Sequence, residues 1–449
     1  MAYRNNRVRA IVLSLWAQSH EDGRFVSSLL ADTFREQPTL LDAERAEIVQ
    51  TLHAMIRMAR YIDYALETAV KEMPDEDERD YARYLCCRLF SGDFDMREAA
   101  KALPIVDWRE VRRVEARIKA EPDKVRRLAL TNSLPDWLAV KLLTEYGDEA
   151  SALAEALNVR PELTLRVNTL KTTRKAVLDS LAESNIDASP TSLSKLGIRL
   201  EAHANVFKLD SFQNGDFEVQ DEGSQMVAEV AAPSPGSVVV DFCAGAGGKT
   251  LALGAMMKNK GKLIALDVSK KKLEELRRRA RRAGLFNVQA LQLEYARTQQ
   301  EGATALTLPP EIAKLAGTAQ RVLVDAPCSG VGAFRHNPEA RWRLSEEDFN
   351  HLKIEQEQIA RTAMSLCKVG GRMIYATCSV LKEENEEIVE RLLKNPGNEK
   401  LVFELVPLKE IIGGELASQV SDSSGLFLKL LPHRQQTDGF FAAVLRRKA

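Results

Sequence analysis

The chain has 449 residues, 45% hydrophobic and 28% charged, which excludes a single small module and a disordered chain and points to two to four domains. No apolar run reaches the roughly 18 residues of a membrane span, so no membrane partner is expected. Lys plus Arg (63) balance Asp plus Glu (64) to a net charge of −1, so global charge selects no polyanion and any nucleic-acid surface has to be local.

Arg4, Arg7 and Arg9 ahead of the apolar stretch Ala10 to Ala17 mimic a secretory leader. Val8, Ile11, Val12, Leu15 and Trp16 recur at helical spacing, however, and no small-residue cleavage site follows, so the segment reads as an amphipathic helix. Phe25, Val26, Leu29, Leu30 and Phe34 mark a second helix, and Ile48, Val49, Leu52, Met55 and Ile56 a third. Tyr61, Ile62, Leu66 and Val70 continue the pattern until Met73-Pro74 breaks it. The acidic run Asp75 to Asp80 suits the positive end of the next helix. Residues 1–125 are therefore expected to form an all-α domain.

After the linker Glu121-Pro122-Asp123 the texture is mixed. Helices are expected near Pro135 to Tyr146, Asp148 to Leu157 and Thr173 to Ser184, with strands at Leu163 to Val167 and Val206 to Leu209, together a small α+β subdomain over 126–219. From 220 to 449 strands alternate with helices: Ser237 to Cys243, Lys262 to Val268, Val288 to Leu293, Arg321 to Pro327, Arg372 to Cys378, and finally Phe440 to Arg446. This alternation predicts an α/β domain, a largely parallel Rossmann-like sheet covered on both faces. Thr298 to Thr318 is expected to be a surface insertion with a short helix.

The first strand of that sheet runs into Cys243-Ala244-Gly245-Ala246-Gly247-Gly248-Lys249-Thr250. A phosphate-binding loop needs glycine where Cys243 stands, and a dinucleotide fingerprint needs glycine where Thr250 stands. What remains is a glycine turn plus Asp267, closing the second strand nineteen residues after Gly248, where a carboxylate can accept both hydroxyls of a ribose. S-adenosylmethionine has a ribose and no phosphate, so it fits this pattern; a tight turn without a ligand is the bland alternative. Lys249 is placed to approach the cofactor's carboxylate or the target nucleotide.

Asp325-Ala326-Pro327-Cys328-Ser329-Gly330 follows the fourth strand and Thr377-Cys378-Ser379 the fifth. Adjacent strand ends of an open parallel sheet face one crevice, so two thiols and Asp325 are expected to flank one ligand. A lone strand-end cysteine is usually a buried small hydrophobe; two at equivalent positions call for chemistry. Methylation at carbon 5 of a pyrimidine needs a thiolate to add at carbon 6, which turns carbon 5 into a nucleophile. A second thiol can assist release, and Asp325 can hydrogen-bond the ring.

At these residues the chain resembles the RsmB/Nop2/Sun family of S-adenosylmethionine-dependent RNA (cytosine-5)-methyltransferases, from about 125 to the C-terminus. The resemblance rests on Leu165-Arg166-Val167-Asn168-Thr169-Leu170, Val219-Gln220-Asp221-Glu222-Gly223-Ser224-Gln225, the glycine loop, Asp-Ala-Pro-Cys-Ser-Gly, Arg335-His336-Asn337-Pro338-Glu339, Thr-Cys-Ser, and Thr437-Asp438-Gly439-Phe440-Phe441. It implies that Cys378 is the nucleophile and Cys328 acts in release. It further implies that residues 243 to 249 together with Asp267, Glu294 and Asp325 hold the cofactor, Glu294 standing where the family has an Asp near the third strand end. Many members have Ala-Ala-Pro where this chain has Ala244-Gly245-Ala246. The helical N-terminus is similar to the NusB-type RNA-binding module of bacterial members, and small-subunit (16S) ribosomal RNA is the implied substrate, with transfer RNA as the alternative.

Arg166 and Asn168 are candidates to clamp RNA backbone. The stretch Lys270 to Arg282, with eight basic residues, reads either as a phosphate contact or as a solvated helix face behind Leu273 and Leu276. The six histidines stand singly, so no metal site is expected, and Cys86, Cys87 and Cys367 read as structural. The six cysteines suit a reducing cytoplasm, and a monomer is expected. A non-catalytic RNA-binding assembly factor, and an amino-methyltransferase with a different catalytic loop, are the competing readings.

Overall fold

The computed structural model describes residues 6–21, 24–71, 75–202, 204–297 and 304–449. They form two compact units, one of residues 1–159 with 334–346, the other of 160–333 with 347–449. Arg4, the break at Met73-Pro74 and the first part of the insertion from Thr298 lie outside the described residues. Among the described residues, no helix is long and apolar enough to cross a membrane.

The first unit is helical. Val8, Val12, Leu15 and Trp16 of Asn6–Glu21 are buried with Ile48, Leu52, Met55 and Ile56 of Asp42–Arg57, so the apolar spacing in the sequence is the spacing of the core. Asp75 caps Glu76–Phe90 by accepting from the Glu78 N–H at 2.7 Å, and Glu76, Asp77 and Glu78 occupy the first turn, where carboxylates offset the helix dipole. The helices Lys124–Asn132, Asp136–Tyr146 and Ala150–Asn158 belong to this unit as well, whereas the sequence reading starts the α+β subdomain at 126. The difference has a physical cause: Lys124–Asn132 packs on Ala59–Glu67 and Val114–Lys119, and Arg341, fully buried, donates to the carbonyls of Asn132 and Ser133 and to Asn158 Oδ1.

The second unit opens with four short strands, β1 (Thr164–Val167), β2 (Ala188–Pro190), β3 (Gly197–Leu200) and β4 (Phe217–Val219), in the antiparallel order β2-β3-β1-β4. Leu165, Val167, Ile198, Leu200 and Phe217 turn one face of this sheet onto Val177 and Leu181 of the helix Arg174–Glu183. Val206–Lys208, expected to be a strand, is a 3-10 turn, because Val206 drops into this core while Phe207 stays outside it.

The main sheet carries β5 (Val238–Asp241), β6 (Lys262–Asp267) and β7 (Val288–Gln292). An antiparallel pair follows, β8 (Glu294–Arg297) just ahead of the expected insertion and β9 (Thr304–Thr307) inside it; the short helix expected there is Pro310–Ala313. Then come β10 (Ala319–Asp325), β11 (Cys367–Thr377), β12 (Phe403–Leu405), β13 (Phe427–Leu430) and β14 (Phe440–Arg447). The order is β12-β14-β11-β10-β5-β6-β7, with β13 also on β14. Strands β7, β6, β5, β10 and β11 are parallel, and β14 runs antiparallel to β11. The central strands β5, β6, β10 and β11 are largely buried and read as apolar runs, and the whole is a Rossmann-like α/β domain. Chain order steps one way from β5 to β7 and the other way from β10 to β11, which makes the carboxyl ends of β5 and β10 the topological switch point where such sheets bind ligands.

Candidate active site

The turn after β5 is built to bring backbone close to that switch point. Gly245 and Gly247 take positive φ (54° and 91°), and a Cβ on Gly247 would meet Leu276 Cγ at 2.7 Å, so glycine is required there by conformation and by space. Asp267 at the end of β6 holds the turn from beneath: its two carboxylate oxygens accept from the Gly245 N–H at 2.9 Å and the Ser269 N–H at 2.8 Å. Each oxygen keeps a second lone pair for a ligand hydroxyl. Lys249 enters the helix Gly248–Met256.

A crevice of about 430 Å³ opens here, lined by Cys243, Ala244, Gly245, Ala246, Gly248, Lys249, Asp267, Asp325 and their neighbours. Gly247 shapes the turn from behind. Glu294 is exposed and outside this lining; Leu293, with Glu355 from the helix Glu346–Met364, forms that wall instead. Leu293 is the buried residue where β7 ends, and Glu294 already begins the next strand.

Two carboxylates and a lysine supply the electrostatics. Asp241 is fully buried and accepts from Thr250 Oγ1 at 2.6 Å, while its other oxygen has no partner. Burial, reinforced by nearby Asp325, pushes its pKa up to about 7 against the opposing Thr250 hydrogen bond and Lys249 charge. An orphaned buried carboxylate oxygen beside a crevice is a place for a donor that arrives with a ligand. Lys249 Nζ donates to Asp325 Oδ2 at 2.7 Å and lies 5.1 Å from the Phe440 ring centre. Burial works against its ammonium, but Asp325, Cys378 and Asp241 together raise its pKa above the ordinary lysine value.

Cys328 and Cys378 meet across fifty residues of sequence with Sγ atoms 3.3 Å apart, both free thiols. Their loops are fixed by a chain of backbone contacts. The Gly332 N–H donates to the Cys378 carbonyl at 3.0 Å, and Gly439 N–H to the Gly332 carbonyl at 2.9 Å. A Cβ on Gly332 would lie 2.1 Å from the Gly439 carbonyl oxygen, so two glycines let these strands of chain cross. The hydrogen bond to Cys378 comes first, then burial, in raising the Cys328 pKa well above that of a free thiol. Burial likewise raises Cys243, which faces the crevice floor.

Sequence reasoning missed the group beneath the thiols. Glu384, fully buried, accepts from the Ser329 N–H at 2.7 Å, from Ser329 Oγ, and from Gln356 Nε2 at 2.8 Å. Gln356 also donates to the Pro327 carbonyl, and Tyr375 Oη to the Glu384 carbonyl. Ser329 Oγ in turn reaches Ser379 Oγ at 3.3 Å. The carboxylate thereby holds the Cys328 loop, which reaches the Cys378 loop through the two serine hydroxyls, while the backbone of Glu384 is held to β11 by Tyr375. Its only sequence trace was an acidic residue six positions after Cys378 in a run of acids.

Arg166 and Asn168, expected to clamp RNA, are buried and occupied within the protein. Arg166 donates to Gln220 Oε1 and to the Gly248 carbonyl, and Asn168 to the carbonyls of Gly215 and Ala283. Burial lowers the Arg166 pKa to about 10. They hold the small sheet against the glycine turn, so the donors expected to clamp RNA backbone are used within the protein. Helix Lys270–Ala283 buries Leu273 and Leu276, and its Arg279 and Arg282 both pair with Glu218.

The family model for 16S rRNA methyltransferase RsmB/F matches residues 228–446, and that for an RsmF/B-like ferredoxin-like domain matches 134–207. A probable ribosomal RNA small subunit methyltransferase B of Bacillus subtilis is 33% identical over 73% of this chain and 69% of its own length. The crystal structure of PH0851 superposes with a TM-score of 0.76 at 27% identity, over 98% of both chains. A methyltransferase homologue from Pyrococcus horikoshii gives 0.59 at 26% identity, over 73% of this chain and all of that one.

Proposed function

The chain belongs to the RsmB/F family of 16S rRNA methyltransferases, and on that premise we propose that it methylates carbon 5 of a cytosine in small-subunit ribosomal RNA through a covalent Cys378 adduct. The observation that carries the reading is the thiol pair at the ends of β10 and β11, 3.3 Å apart beside the switch-point crevice. The names of the relatives supply the substrate class.

S-adenosylmethionine, when bound, supplies an electrophilic methyl group. The residues present suit it: Asp267 has lone pairs for ribose hydroxyls, Asp241 has an unpartnered oxygen for a cationic donor, and the glycine turn offers backbone without a phosphate cradle. The target base is expected to leave its stack to enter the crevice, since a stacked base hides its ring faces. Cys378 Sγ, as thiolate, would add to carbon 6 of the ring, and the electron pair would move to carbon 5, which would take the methyl group as its bond to the sulfonium sulfur breaks and leaves a neutral thioether. A base then takes the proton from carbon 5, and the carbon 6–sulfur bond breaks to return the thiolate.

Asp325, positioned by Lys249, hydrogen-bonds the ring as charge develops during attack. Cys328 keeps its proton and assists release. The pair has to stay reduced, because a disulfide between Cys328 and Cys378 would consume the nucleophile, and a reducing cytoplasm fits that need. The helical unit, with its resemblance to NusB-type modules, is proposed to add RNA affinity to a monomeric enzyme.

Trapping with RNA that carries 5-fluorocytosine tests the reading, because fluorine at carbon 5 blocks the final elimination. The wild-type chain and Cys328→Ala are expected to form an adduct that survives denaturing electrophoresis, and Cys378→Ala is not. Retention of the adduct in Cys378→Ala, with loss in Cys328→Ala, would reverse the roles.

A further inference from the structure

A second groove of about 720 Å³ adjoins the cofactor crevice and shares Val219, Ala246 and Arg279 with it. One wall is aromatic. Phe207 sits edge-on to Phe212, ring centres 5.1 Å apart at 88°. Phe212 is 8% exposed, whereas Phe207 is 53% exposed, so the fold turns one ring of the pair outward although the core beside it is apolar. The other wall is basic, formed by Arg278, Arg279 and Arg282 of the helix Lys270–Ala283.

The arginines are not loose. Glu218, its side chain 3% exposed, pairs with Arg279 at 2.9 Å and Arg282 at 2.5 Å. Arg279 also donates to the Ala246 carbonyl at 3.0 Å, and the Arg282 guanidinium lies 3.9 Å over the Phe212 ring. Arg278, its side chain 74% exposed, pairs with Glu275 on the same helix at 2.6 Å. The groove thus presents one outward aromatic face opposite pre-oriented guanidinium groups, the pairing that single-stranded nucleic acid meets with a base and a phosphate.

We propose that this groove seats a nucleotide of a single-stranded segment of the RNA substrate, outside the target cytosine, with its base stacked on Phe207 and its phosphate toward Arg278. The proposal rests on the RNA-methyltransferase reading above. It adds a strand-holding site beside the cofactor crevice, whose two proposed contacts, Phe207 and Arg278, are not among the residues that line that crevice. Stacking on one ring is indifferent to base identity, so the groove contributes affinity rather than sequence choice.

The test compares Phe207→Ala and Phe207→Tyr with the wild-type chain, using an unmodified small-subunit rRNA transcript and saturating S-adenosylmethionine. Phe207→Ala is expected to raise the Kd for the transcript about tenfold, with kcat and the Kd for S-adenosylmethionine unchanged; Phe207→Tyr restores wild-type affinity. Arg278→Gln is expected to lower the slope of log Kd against log salt by about one. Wild-type transcript affinity in Phe207→Ala, or failure of Phe207→Tyr to restore it, overturns the proposal while leaving the methyltransferase reading standing. A wild-type chain that binds S-adenosylmethionine yet neither binds nor methylates any RNA overturns both.

Discussion

Replacing Asp241 by Asn is expected to remove a pH dependence of stability that the wild-type chain carries. The carboxyl ordinarily titrates near 3.8, and in the fold burial raises it to about 7. Between those values the native state binds a proton that the unfolded chain has released, so stability is highest at low pH and falls as pH rises through the window. The slope inside the window is about 1.4 kcal/mol per pH step, which makes the loss from pH 5 to pH 7 about 2 kcal/mol, and the loss ends once the native carboxyl has ionised. Asn copies the neutral form and keeps an acceptor for Thr250, so the two chains should match below about pH 3.8, where the wild-type carboxyl is protonated in both states, and Asp241→Asn should be the more stable by a margin that widens up to about pH 7. Urea unfolding at constant ionic strength measures the difference. All four tryptophans, Trp16, Trp108, Trp137 and Trp342, lie in the helical unit, so the unfolding of the catalytic sheet is followed by far-ultraviolet circular dichroism. Parallel stability profiles for the two chains from pH 5 to pH 8 would refute the argument.

Glu384→Gln puts an amide N–H where Ser329 already donates, so it is expected to slow adduct formation on 5-fluorocytosine RNA at least tenfold while the Kd for S-adenosylmethionine stays within about twofold, because the change disturbs thiol placement and not the cofactor wall. Arg341→Ala strips the carbonyls of Asn132 and Ser133 of a buried donor and is expected to destabilise the helical unit by about 3 kcal/mol; tryptophan fluorescence during urea unfolding reports it, and an unchanged midpoint would contradict the buried role.

The parts of the fold that were legible are those where one short-range rule decides. Apolar runs alternating with helical periodicity mark β5, β6, β10 and β11, because strands buried on both faces must be apolar throughout. Two cysteines at strand ends could be placed in one crevice because parallel strands align their carboxyl ends. What was not legible depends on partners far away in sequence. Arg166 and Asn168 look like exposed RNA ligands until the Gly248, Gly215 and Ala283 carbonyls are seen to use their donors. Segment 334–346 lies between β10 and β11 yet packs in the helical unit, where Glu339 accepts from the Val26 N–H and Trp342 donates to the Ile56 carbonyl; no periodicity announces such an exchange. Phe207 and Phe212, five residues apart, have the same residue type and opposite exposure, a distinction that only the packing of the small sheet makes.

The division of labour between the thiols follows from one shared proton. At 3.3 Å one sulfur can donate its proton to the other, and a single thiolate beside a thiol is the arrangement that the proposed attack needs. The thiol that donates across the pair keeps its proton and stabilises its partner's charge. On the proposed reading Cys328 is that donor, and its pKa is raised first by the hydrogen bond to Cys378 and then by burial. The Lys249 ammonium senses Cys378 among the charges that raise it and is itself anchored by Asp325, so positive charge is arranged on the Cys378 side. In the proposed mechanism, the negative charge leaves the sulfur when Cys378 adds to the ring. The hydrogen bond from Cys328 then weakens, and that proton becomes available beside the bond that must later break. The same two atoms therefore favour attack while the thiolate is free and favour release once it is not.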